Sequence, residues 1–260
     1  MENASLTAAA QRLASARLTR TVLPALPPDC RPSTIDEGYA VQAAFRDLWS
    51  ERIAGWKVGA TALPVQALFK VGHPFYGPVF APSVHTSPAT PRTADYFHLT
   101  IESEFVFQSG RDLPARPAGY SKAEIAAAFD TVLPGIEIVG GRYPGLTSTE
   151  VASVIADCAG NEGLVVGKPT TGWSEAELIT QHVRLEVNGR IVGDGSGADV
   201  LGSPVRVLEW LIADMSRRGI SPTAGQLVST GTCTGVITIG PGEKAMADFG
   251  RFGRAEVCFQ

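Results

Sequence analysis

The 260-residue chain has little charge of either sign to spare: 22 Lys and Arg stand against 26 Asp and Glu, a formal net charge of −4. Proteins that grip nucleic acid or an anionic bilayer do so through clustered cations, so neither partner is expected. No run of 18 apolar residues occurs, which leaves no candidate transmembrane helix. Cysteine is scarce and scattered. Cys30, Cys158, Cys233 and Cys258 form no CxxC pair and have no histidine at finger spacing. A disulfide scaffold or zinc ribbon is therefore not expected. The segment up to Arg20 is rich in Ala, Ser and Arg, but it carries Glu2 and lacks a long apolar stretch. It reads as an amphipathic first helix rather than a secretory signal, and cytoplasm is the expected compartment.

Several common catalytic signatures are missing as well. Gly193-Asp-Gly-Ser-Gly-Ala198 matches a dinucleotide fingerprint by letter, yet it follows a hairpin signal instead of the strand of a βαβ unit. Gly167-Lys168 is followed by Pro169, where a phosphate-binding loop needs Ser or Thr. No G-x-S-x-G elbow surrounds any serine. His73, His85, His98 and His182 show no i,i+4 pairing, so a surface or core place is expected for each.

What is present is an ordinary globular composition, 44% apolar, with 28 Gly and 18 Pro. One large domain with a small appendage is expected at this length. Leu6, Leu13 and Leu18 recur at roughly helical spacing before the Pro24–Pro32 break, and Thr34/Glu37 form a capping box that opens a second helix. Beyond Gly55 short strands follow: Trp56–Val58, Gly77–Phe80, Leu99–Phe107 and Gly135–Val139, then near Gln226–Thr230, Val236–Ile239 and Ala255–Phe259. Helices are expected after the capping boxes Ser121/Glu124 and Ser174/Glu177, and over Pro204–Arg218 up to Gly219. Asn188-Gly189 between two apolar runs predicts a tight hairpin. The division is a helical subdomain over 1–54 and a mixed, mostly β body over 55–260.

The richest segment is Leu99-Thr-Ile-Glu-Ser-Glu-Phe-Val-Phe107. As a strand it places Ile101, Ser103, Phe105 and Phe107 on one face and Thr100, Glu102, Glu104 and Val106 on the other, with the two glutamate Cα atoms about 6.5–7 Å apart. Glu137, between Ile136 and Ile138, adds a carboxylate from a second strand. Three carboxylates among apolar strands repel one another and lose hydration, so either one takes up a proton or a hard divalent cation such as Mg2+ or Mn2+ holds them. The spacing fits equally well an edge strand that shows its glutamates to solvent.

An ordered series of pieces runs from the second helix to the C-terminus. It comprises Gly55-Trp-Lys-Val-Gly59, the Gly72–Gly77 turn with Pro74, Glu102-x-Glu104 with Phe105, and Pro134-Gly-Ile-Glu-Ile-Val139 followed by Arg142. Ala156-Asp157, Gly163–Gly167, Asn188-Gly189, Gly195-Ser-Gly-Ala198, Leu201-Gly202-x-Pro204 and Val228-x-Thr230-Gly231 continue it. The series resembles the fumarylacetoacetate hydrolase superfamily, in its branch of 2-keto-4-pentenoate (2-hydroxypenta-2,4-dienoate) hydratases and 4-oxalocrotonate decarboxylases. That resemblance implies an α+β fold, a mixed β-roll or flattened barrel of the fumarylacetoacetase C-terminal type with a helical N-terminal subdomain. It also places Glu102, Glu104 and Glu137 at divalent-metal ligands, with Mg2+ or Mn2+ as cofactor, Lys57 at the catalytic lysine, and Thr230, Arg142 and Asp157 among substrate contacts.

The implied activity is a metal-dependent hydratase (a lyase) adding water to a 2-hydroxy-2,4-dienoate through an enolate, in catabolism of aromatic meta-cleavage products. Alternatives are the decarboxylase of 4-oxalocrotonate, an acylpyruvate C–C hydrolase, and an inactive binder of small acids on the same fold. The resemblance implies a homo-oligomer acting on a small 2-oxo or 2-hydroxy alkenoate. Lys57, desolvated beside a metal, is expected to have a lowered pKa and to shuttle the substrate proton. A basic residue in the pocket, such as Arg142 or Lys70, would favour the decarboxylase. Departures from the pattern fall at Phe75, Gly140, Cys158 and Asn161, near the expected pocket.

Overall fold

The computed structural model describes all 260 residues. Two helices lead the chain, α1 (Asn3–Thr19) and α2 (Ile35–Leu48). The capping box of α2 is complete: Thr34 Oγ1 accepts the Glu37 amide at 3.2 Å, and the Glu37 carboxylate accepts the Thr34 amide at 3.3 Å. α1 is less amphipathic than its leucines suggest. It buries Ala9, Ala10, Leu13 and Ala16, while Leu18 is 73% exposed. Small side chains let it lie close to α2, and the pair shares an apolar cluster that includes Val41, Phe45, Phe80 and Tyr143.

The strands of the body are β1 (Ile53–Gly59), β2 (Phe75–Phe80), β3 (Val84–Thr86), β4 (Thr100–Gln108), β5 (Thr131–Val139), β6 (Asn161–Val166), β7 (Thr170–Thr171), β8 (His182–Val187), β9 (Arg190–Ser196), β10 (Leu227–Thr232), β11 (Ile237–Thr238), β12 (Lys244–Asp248) and β13 (Arg254–Cys258). Between them lie α3 (Leu63–Phe69), α4 (Lys122–Ala128), α5 (Val151–Ala156), α6 (Glu175–Thr180) and α7 (Pro204–Arg217). The capping boxes before α4 and α6 form as expected. α7 turns its buried Val205, Leu208, Leu211, Ile212 and Met215 to the core at helical spacing. α3, α5, β3, β6, β7 and β12 are additions to the sequence expectation.

Nine strands form a mixed sheet in the order β2-β1-β10-β4-β5-β6-β3, with β11 beside β4 and β7 beside β5, and it curls into a half-barrel. A second sheet, β13-β12-β8-β9, packs across β5 and β6. Asn188 (φ 51°) and Gly189 (φ 77°) make the tight turn between β8 and β9, both left-handed as a primed hairpin turn demands.

Alternation along β4 divides the molecule. Ile101, Phe105 and Phe107 enter the main core, where the Phe105 ring lies 5.0 Å from Phe249 and 5.7 Å from Phe252. On the opposite face Val106 joins Val79, Leu133, Leu164 and Leu227 in a small apolar plug. Val106 is the next residue after Glu104 on that strand face, so the plug packs beside the carboxylate.

Candidate active site

β4 pairs with β5 so that Glu102 lies opposite Glu137, and Glu104 lies opposite Gly135. Gly135 is the only residue type that fits there, because a Cβ would meet Val106 Cγ2 at 2.4 Å. Carboxylate oxygens of Glu102, Glu104 and Glu137 all come within 4.8 Å of one another. Glu104 and Glu137 are fully buried, and β4 is an interior strand. The alternative of solvent-facing glutamates on an edge strand is thereby removed.

Neighbouring strands fix these carboxylates. Lys57 of β1 is buried with Nζ 3.3 Å from Glu137 Oε1, and Asn161 Nδ2 donates to the same oxygen at 2.9 Å. The ladder between β10 and β4 slips its register between Ser229 and Thr232. This irregularity aims the Gly231 amide at Glu104 Oε2, 2.8 Å away, where the Ser229 hydroxyl also donates. Gly231 holds φ 99°, and a Cβ there would fall 1.9 Å from Thr61 Oγ1.

The cluster is over-supplied with acceptors. Glu104 Oε1 and Glu137 Oε2 are buried without any hydrogen-bond partner. Burial first, then the Glu137 charge, raise the Glu102 and Glu104 carboxyls above the usual range. Burial alone would lower the Lys57 pKa, but the surrounding glutamate charges raise it in the cation-free cluster. Three hard oxygen donors, two of them orphaned, are what a divalent cation of the Mg2+, Mn2+ or Ca2+ type requires, so the residues fit the implied metal.

The cluster opens into a cavity of about 370 Å³. Lys57 and Glu102 form its charged end, and Thr100 and His98 continue along the β4 side. Val65, Leu68, Phe69, Phe75, Leu146 and Val236 supply apolar wall.

No known protein-family model matches the chain. It is 28% identical over 241 residues to the 4-oxalocrotonate decarboxylase of Pseudomonas sp. (strain CF600), covering 91% of this chain and 89% of that protein. It is 29% identical over 212 residues to a 2-keto-4-pentenoate hydratase of Paraburkholderia xenovorans (strain LB400), covering 80% and 78%. Among solved structures, 4-oxalocrotonate decarboxylase from Pseudomonas putida G7, complexed with magnesium and adipate, superimposes with TM-score 0.92 at 25% identity, over 100% of this chain and 99% of that one. The chain shares its fold with these proteins, and its sequence is similar to theirs over most of its length. A fumarylpyruvate hydrolase from Pseudomonas aeruginosa in complex with Mn2+ and pyruvate shares the fold, with TM-score 0.60 at 14% identity over 81% of this chain and 91% of that one.

None of the three expected substrate contacts lines the cavity itself. Arg142 and Asp157 are buried together: the guanidinium pairs with the Asp157 carboxylate, and the Arg142 amide donates to Asp157 Oδ2 at 2.7 Å. Their charges are spent on each other behind the cavity wall. The buried Thr230 hydroxyl donates to the Phe105 carbonyl at 2.9 Å. Lys70 also stays outside it, capping α3. Of the departures, Phe75 and Gly140 line the cavity, Asn161 steadies Glu137, and Cys158 is buried beneath β2, where its carbonyl lies 2.2 Å from the Cβ position of Gly77.

One cavity residue escaped the sequence. His98 was expected to be surface or core, yet it lines the cavity with Nε2 3.0 Å from the Tyr143 carbonyl. The signal was its two-residue step to Thr100 and Glu102, which continues the face that carries the carboxylates.

Proposed function

We propose that the protein is a divalent-cation-dependent hydratase acting on a 2-hydroxy-2,4-dienoate of the 2-keto-4-pentenoate type, with Glu102, Glu104 and Glu137 as ligands of Mg2+ or Mn2+. The observation that carries this is the buried triad with two orphaned oxygens beside Lys57, opening on a cavity whose remaining wall is mostly apolar. A decarboxylase substrate brings a second, distal carboxylate. Arg142 and Lys70 do not line the cavity, where His98 is the one basic side chain besides Lys57. The decarboxylase keeps support from the 91% coverage of its relative, so product analysis decides between the two.

When bound, the cation would supply Lewis-acid stabilisation of negative charge on the substrate's 2-oxygen. The chain does the rest. Lys57, held by Glu137, carries the proton exchanged with substrate carbon, and its burial keeps bulk water from competing for that proton. Asn161 and the Gly231 amide lock two of the ligands in place before any cation arrives. The apolar wall accepts the hydrocarbon end of the dienoate. We place the enzyme as a cytoplasmic homo-oligomer; exposed Leu68 and Val236 at the cavity, with exposed Leu63 on α3, offer apolar surface for a neighbouring copy, which sedimentation velocity would reveal.

The test is calorimetric titration of metal-stripped protein with Mg2+ and Mn2+, alongside Glu104→Gln. Saturable binding near one ion per chain, weakened about 100-fold or more in the variant, is the expected result. Incubation with 2-hydroxypenta-2,4-dienoate should then give the 4-hydroxy-2-oxo acid. Absence of cation binding in the unaltered protein would end the proposal, and release of CO2 from 4-oxalocrotonate without hydration would move it to the decarboxylase.

A further inference from the structure

Lys57 exchanges its proton with carbon, and water addition needs a second group to activate the incoming water. His98 is built for that task. Its Nε2 faces the Tyr143 carbonyl at 3.0 Å, and a carbonyl only accepts, so Nε2 carries the hydrogen. In the neutral ring the lone pair then belongs to Nδ1, to which no protein group donates. His98 and Glu102 both line the cavity, four residues apart along one extended face, with Cα atoms on the order of 13 Å apart. A substrate anchored at the carboxylates would therefore extend its far carbons towards the imidazole.

A carboxylate, Glu162, fixes the backbone next to that ring, and only a glycine makes room for it. Gly140 lines the cavity, and a Cβ there would fall 2.1 Å from Glu162 Oε1 and 3.1 Å from His98 Cδ2. Glu162 accepts the amides of Phe97 and Gly141, each at 2.6 Å. It thus ties the residue before His98 to the turn that presents the Tyr143 carbonyl. The Gly140 departure and Glu162 are one arrangement: the carboxylate of β6 occupies the space that a side chain at 140 would take.

We infer that His98 is the general base for water addition and that Glu162 is its positioning residue. This rests on the hydratase proposal. His98 Nδ1 takes a proton from water as the water oxygen bonds to C4 of the α,β-unsaturated 2-oxo acid. The C3=C4 electron pair shifts to give the enolate, C3 then takes a proton from Lys57, and both side chains re-equilibrate with solvent. The net change is H at C3 and OH at C4.

The test uses the Mg2+-loaded enzyme and 2-hydroxypenta-2,4-dienoate in D2O. In His98→Ala and His98→Gln, ketonisation, read as deuterium incorporated on carbon, should persist within about 3-fold, while 4-hydroxy-2-oxopentanoate formation falls about 100-fold or more. Added imidazole should restore part of hydration in His98→Ala. Glu162→Ala and Gly140→Ala should lower kcat for hydration with KM little changed, and Glu162→Gln should recover part of it. Independently of turnover, 15N-histidine NMR of the metal-free protein should show His98 as the Nε2–H tautomer. An Nδ1–H tautomer, or undiminished hydration in His98→Ala, would overturn the assignment. So would wild-type ketonisation without hydration, which would leave the carboxylate–Lys57 proposal standing.

Discussion

Lys57 shows how one buried charge is set by its company. Burial opposes its ammonium, and the three glutamates outweigh burial, so the cation-free cluster keeps the proton on lysine. A bound cation would reverse the balance by neutralising those glutamates. Lys57→Ala should therefore lower turnover by about 100- to 10,000-fold while Mg2+ still binds, as checked by steady-state rates beside calorimetry. The glutamates make a second prediction at this scale. The folded-state pKa values of Glu102 and Glu104 are raised, so the folded protein holds more protons than the unfolded chain above the ordinary carboxylate value of about 4.3. Stability of the metal-free protein should fall as pH rises through that value towards neutrality, and saturating Mg2+ should abolish the fall. Thermal melts from pH 4 to 8, with chelator and with Mg2+, measure both arms.

At the scale of elements, the site depends on a strand irregularity that places no side chain in the cavity. The slip between β10 and β4 delivers the Gly231 amide to Glu104, at a φ that only glycine holds without strain. Gly231→Ala should cost about 1–3 kcal/mol from backbone strain and weaken Mg2+ binding; chemical denaturation and calorimetry report the two effects separately. The helices differ in how openly they announce themselves. α2, α4, α6 and α7 carry capping residues or periodic apolar faces, and the expected segments appear. α5 runs for six residues, five of them buried, so no polar face gave it a period. α3 is seven residues long, with Leu63 and Leu68 exposed and a proline at its start, which reads as loop.

The whole molecule is two sheets back to back, and β4 serves both sides of the larger one. Phe105 anchors the inter-sheet core two strand positions from Phe107, while Glu104 beside it points the other way into the half-barrel. Phe105→Ala should cost about 3–5 kcal/mol, measured by denaturant unfolding, because the rings of Phe249 and Phe252 lose their common partner. The two N-terminal helices pack on the body through Phe80, Tyr143, Ala156 and Cys158.

Local chemistry wrote much of this into the sequence. Period-two alternation placed Glu102 and Glu104 on one face of β4, capping pairs marked helix starts, and Asn188-Gly189 marked the hairpin, because each depends on residues a few positions apart. Lys57 and Glu137 were legible by motif, but their meeting with Glu102 and Glu104 required the parallel pairing of β1 with β10 and the antiparallel pairing of β4 with β5. Spacing could not tell a solvated edge strand from a buried interior one; strand order did, and with it decided that the carboxylates lose their water. Tertiary contacts also turned Arg142 and Asp157 towards each other and Thr230 towards the Phe105 carbonyl, and brought His98 to the cavity beside Glu162. Those outcomes depend on which long-range neighbour reaches a polar group first, and no short window of sequence contains that information.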